Sequence, residues 1–155
     1  MSFDENKLES EEQISTTKLV QMINNKNVTV RRQALQLFLE REDFHLKRQM
    51  TITLIKDPDI GIAKTMLEAI INKAPGLYGS VMRKLAVNHK NFIIRSLCIR
   101  SLIKMKAIKN SELFIQRMRH EKGELQEELR DAVIAFVKTE PDLMTQQIIK
   151  TFTDD

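Results

Sequence analysis

The chain has 155 residues, of which 42% are hydrophobic and 30% charged, with four Gly, three Pro and one Cys. That length suits one domain with a substantial core, and so few Gly and Pro exclude a sheet-rich fold with many tight turns. One cysteine excludes an internal disulfide, the start Met1–Asn6 lacks a secretory pattern, and no apolar run nears the roughly 18 residues of a membrane span; a cytoplasmic protein is expected.

The net charge of +4 is unevenly spread. Residues 1–14 carry −4, residues 83–122 carry +9 and residues 123–155 carry −5. Residues 1–14, with Phe3 and Leu8 isolated among acids, read as an acidic, flexible tail. Residues 15–155 read as one repeat domain. A first helix begins near Ser15 and carries Leu19, Val20 and Ile23, and Asn24-Asn25-Lys26-Asn27 breaks it. A second runs from Val28 to about Glu40, with Val30, Ala34, Leu37 and Phe38 on one stripe.

The same pair is then rewritten three times. Helices are predicted near 43–56, 77–88 and 110–120, each followed by a partner near 60–73, 92–105 and 124–138. The segments starting at Val30, Ile62, Ile94 and Leu125 superimpose with spacings of 32, 32 and 31 residues. Core columns recur in register: Ile23, Ile55, Val87 and Met118; Ala34, Met66, Cys98 and Leu129; Phe38, Ile70, Leu102 and Val133. Such a period asks for stacked helical units, because one hairpin cannot bury its own apolar face. The turns align too, and Asn27, Asp59 and Asn91 stand where a side-chain oxygen caps the second helix, worth about 1 kcal/mol each. Lys122 breaks that cap rule. Pro141 opens a ninth helix with Met144, Ile148 and Phe152 spaced four apart, a half unit suited to capping the C-terminal end.

Asn or Asp, two residues, then Val/Ile-Arg with a small residue three further on resembles the HEAT-like repeat, closest to its short bacterial and bilin-lyase-type form. Residues 27–34 and 91–98 match best; Ala63 and Gln126 replace the arginine in the other two copies. The resemblance covers roughly residues 15–138 and implies an all-α, right-handed α-solenoid of about four helix pairs plus the capping helix. It also implies that Arg31 and Arg95, one per matching copy, bond to acidic or carbonyl groups between neighbouring units and are structural.

Candidate functional residues lie in the basic block. Arg100 and Lys104 are four apart on one helix face, Lys106 and Lys109 follow, Arg83 and Lys84 belong to the preceding helix, and Arg117 and Arg119 to the next. If second helices line the concave face, as in related solenoids, Arg100 and Lys104 are expected to point toward a bound partner, with the rest of the block extending that basic face. A non-enzymatic scaffold or adaptor that binds an acidic protein surface is the first expectation; a module gripping nucleic-acid phosphates is the alternative. An accessory lyase of the bilin-lyase type is a third. Without Trp, and with Tyr78 the one Tyr, there is no stacking platform for an extruded base. His120-Glu121 resembles the His-Glu pairs that bind iron in deoxyhypusine hydroxylase, but one pair falls short of a ligand set, so both read as turn residues and no cofactor is expected. Cys98 reads as core, not nucleophile. The −4 and +9 segments suggest that the tail masks the basic face. Deleting residues 1–14 should then strengthen polyanion binding at low salt, and unchanged affinity would count against masking.

Overall fold

The computed structural model describes residues 14–153, and every regular element among them is helical. The acidic segment read as a tail lies, up to residue 13, outside the described residues. The chain divides into two compact units, one ending at Lys73 and the other starting at Ala74. The first holds two hairpins, α1 (Thr16–Ile23) with α2 (Val28–Leu39) and α3 (Arg48–Ile55) with α4 (Ile60–Lys73). The second holds α5 (Gly79–Asn88) with α6 (Phe92–Met105), α7 (Ser111–His120) with α8 (Gly123–Thr139), and then α9 (Pro141–Thr153).

Both units pack by one rule. Each helix lies against its hairpin partner, α1 touches α3 and α2 touches α4. In the second unit α5 touches α7 and α6 touches α8, while α9 rests on α7 and α8. First helices therefore neighbour first helices, and second neighbour second.

Local chemistry sets the boundaries. Ser15 Oγ accepts from Lys18 N–H at 3.2 Å to start α1. Asn27 Oδ1 accepts from Thr29 N–H at 2.8 Å to start α2, and Asp59 Oδ1 from Ile62 N–H at 3.0 Å in the first turn of α4. Asn91 Oδ1 accepts from Ile93 and Ile94 at 2.8 and 3.2 Å to start α6. Each bond satisfies a donor that the helix leaves open. Lys122 makes no side-chain cap at α8.

The first helices of the later hairpins begin later than their periodicity predicts, because a short 3-10 turn precedes each: Phe44–Leu46, Pro75–Tyr78 and Ile108–Asn110. Thr51 Oγ1 holds the first of these by donating to Phe44 O at 3.1 Å. Pro75 opens the second, where its fixed φ suits the turn and no N–H is lost.

Two of the three core columns are buried throughout: Ala34, Met66, Cys98 and Leu129, and Phe38, Ile70, Leu102 and Val133. Truncating one of their large members to Ala costs about 2–5 kcal/mol. The third column needs correction. Ile23 and Ile55 are buried, but Val87 is 40% exposed and Met118 only half-buried. In α5 the inward face is Val81, Met82 and Ala86, and one residue further on the helix has turned about 100° away. In α9, Met144 and Thr151 are buried while Phe152 is exposed, so the expected apolar stripe does not run to the helix end.

Candidate interaction surface

Two arginine clamps position the hairpin ends. In the first unit Arg31 Nε donates to Asp57 Oδ2 at 2.9 Å, and its Nη1 donates to the carbonyls of Asn25 and Lys26, both at 3.0 Å. One guanidinium thus ties the turn of its own hairpin to the turn of the next. In the second unit Arg95 Nε donates to Glu121 Oε1 at 2.9 Å, and its Nη1 to the carbonyls of His89 and Lys90, both at 2.9 Å. The acid follows the arginine by 26 residues in both cases.

Reading the sequence column by column missed both acids. Glu121 is no ordinary turn residue: it is 2% exposed and also receives Arg117 Nη2 at 2.6 Å. Burial alone would push its carboxyl up. The hydrogen bonds and charges of Arg95 and Arg117 outweigh that and hold it below the ordinary carboxylate range. The Asp59 carboxyl is lowered chiefly by the Ile62 N–H bond, with Arg32 adding to it against an upward push from burial.

The basic block divides into committed and free charges. Arg117, placed on the binding face from its charge, is a correction: its side chain is 12% exposed and turned into the Glu121 clamp, since the i,i+4 spacing on α7 delivers it there. Arg100 is exposed, yet its Nε meets Glu128 on α8 at 2.8 Å. Arg119 lies over the Phe152 ring at 4.9 Å. Arg83 is half-buried on α5. Lys84, Lys104, Lys106 and Lys109 are exposed, and none has an ion pair among the described residues. Lys104 and Lys106 stand at the end of α6, and Lys109 in the turn before α7.

The two acids within residues 83–122 are engaged elsewhere: Glu121 serves the clamp, and Glu112 meets Lys150 at 3.7 Å. The four lysines stand exposed to solvent. No family model, curated protein or solved structure matches the chain.

Burial pushes the Cys98 thiol up to about 12, which keeps it an inert core residue at neutral pH. Among the described residues no three His, Cys, Asp or Glu side chains stand close enough to share a metal ion. Nor is any helix among them long and apolar enough to cross a membrane.

Proposed function

We propose that the hairpins are HEAT-like repeats, stacked within each unit in the right-handed sense of an α-solenoid, and that the chain is a non-enzymatic binding module for an acidic protein surface. One observation carries the reading. Lys84, Lys104, Lys106 and Lys109 are exposed without ion pairs among the described residues, while the acids between residues 83 and 122 are already bonded elsewhere. A protein surface made only for solubility intersperses both signs. A surface with uncompensated charge attracts a partner of opposite sign and speeds its encounter. The arginine clamps supply the rigid scaffold that such a surface needs.

An affinity capture with the full chain beside a Lys104→Glu/Lys109→Glu variant tests this. Wild type should retain an acidic protein at low salt, identified by mass spectrometry, and the variant should lose that same protein. Retention of duplex DNA instead, falling steeply with salt, would assign the lysines to phosphate binding. Equal retention by wild type and variant would defeat both.

A further inference from the structure

We propose that the cleft between α6 and α8 is a docking groove for an acidic amphipathic helix of the partner protein; this rests on the reading of the lysine side as a protein-binding surface. The cleft is lined by Ile103, Lys106, Ala132, Ala135, Phe136 and Thr139 and has a volume of about 320 Å³. Ala132, Ala135 and Thr139 follow one another at helical spacing along α8, so a stripe of small side chains leaves the room. Phe136 forms a fixed wall, stacked on the buried Phe114 with ring centroids 6.1 Å apart and planes 9° from parallel.

The ends of the groove differ in charge state. At one end Arg100 and Glu128 close on each other at 2.8 Å, and Glu128 stands one helical turn before Ala132. That pair is charge-compensated. Toward the other end Lys104 follows Arg100 by one turn of α6, and Lys106 lines the cleft itself. Both are exposed and without ion pairs among the described residues. Lys106 also sits at φ 52°, in the left-handed region where glycine is the easy choice. An apolar trough with the unpaired Lys106 ammonium in its lining, and exposed Lys104 two residues before it, matches a helix that offers aliphatic side chains at i, i+3/i+4 spacing and carboxylates beside them.

Nucleic acid fits this trough poorly. Phe136 is the one aromatic ring in its lining, too few for a run of stacked bases. A groove of about 320 Å³ has room for a few aliphatic side chains, as the apolar face of a docked helix supplies.

Anisotropy titrations of the full chain test the assignment with three fluorescein-labelled probes. One is a Leu/Glu peptide of about four helical turns with its leucines on one face. The second has the same composition with the leucines scattered, and the third is oligo-glutamate of equal length. The one-faced peptide should bind about tenfold more tightly than either control, and Ala135→Glu should remove that advantage. Thr139→Glu provides a second obstruction; both positions are exposed, and circular dichroism checks that the helices persist. Lys104→Glu/Lys106→Glu should weaken all three probes. If the three bind alike, or if neither obstruction matters, the groove assignment falls while the lysine reading stands. If no acidic probe binds, or the lysine variant binds as wild type does, the lysine reading falls with it.

Discussion

Arg31 and Arg95 occupy the same place in the two units, 64 residues apart, yet the acids they meet behave differently. In residues 14–73 the short Asp57 carboxylate serves two tasks: it accepts Arg31, and its Oδ1 accepts Asp59 N–H at 2.8 Å, shaping the turn before α4. In residues 74–153 the longer Glu121 reaches a second guanidinium, because Arg117 stands where the first unit has Thr53. One extra methylene moves the carboxylate from its own turn to a neighbouring charge. Next door, α8 starts at Gly123 with φ 64° and with no side-chain cap. The comparison shows that the clamp repeats every 64 residues, not every 32: arginine in the first and third hairpins, acid in the second and fourth.

Removing each acid is the strongest way to break that parallel. Glu121→Ala should cost about 3–5 kcal/mol, because among the described residues Arg117 has no other hydrogen-bond partner and is left as a buried charge. Asp57→Ala should cost less, about 1–3 kcal/mol, since Arg31 keeps its two carbonyls. Urea denaturation of the full-length variants measures both, and equal losses would contradict the two-guanidinium account.

Acid sharpens the same contrast. The Glu121 carboxyl is lowered by folding, so its stabilisation is fully present above its ordinary value of 4.5 and is lost as pH falls through the folded value. The deficit of Glu121→Gln relative to wild type should therefore hold constant from pH 7 to about pH 5 and shrink below that. Urea midpoints across that range give the answer, and a deficit that grew on acidification would reverse the sign.

Caps give smaller effects. Asn91→Ala should cost about 1 kcal/mol, whereas Lys122→Asn should gain about 0.5–1 kcal/mol by supplying α8 with the acceptor it lacks. Thermal midpoints compare the two, and a loss at Lys122 would mean that the turn cannot bring an Asn side chain into capping position. Smallest of all, Lys106→Gly should stabilise by about 0.5 kcal/mol by relieving the left-handed backbone, while it weakens binding of the one-faced peptide. Stability and binding moving in opposite directions would separate that residue's two roles.

Much of the fold was legible in the sequence because hairpins are local. The spacing of Ala34, Met66, Cys98 and Leu129 located one buried face, and Asn27, Asp59 and Asn91 located three helix starts. The misplacement of Val87 has a local cause as well: periodicity tells one face from another, but not the rotation at which a helix end leaves the core. The basic surface was half legible. Counting charge placed eleven cations between residues 83 and 122, but counting could not show that Arg117 turns inward to Glu121 or that Arg100 reaches across to Glu128. A signal for the clamps was nevertheless present, in the matched spacing of Arg31 to Asp57 and Arg95 to Glu121. It was hidden by comparing neighbouring hairpins when the match lies in alternate ones.

The sequence by itself determined that the described chain is helical, where most of its helices begin and end, and which columns are apolar, because propensity, capping and periodicity act over a few residues. Tertiary structure alone decided that Arg95 and Arg100 are consumed by acids of the following hairpin, and that an apolar cleft opens beside Lys106. Those outcomes depend on side chains 26 or more residues apart arriving at one place, where the pairing of charge and the filling of space are settled together.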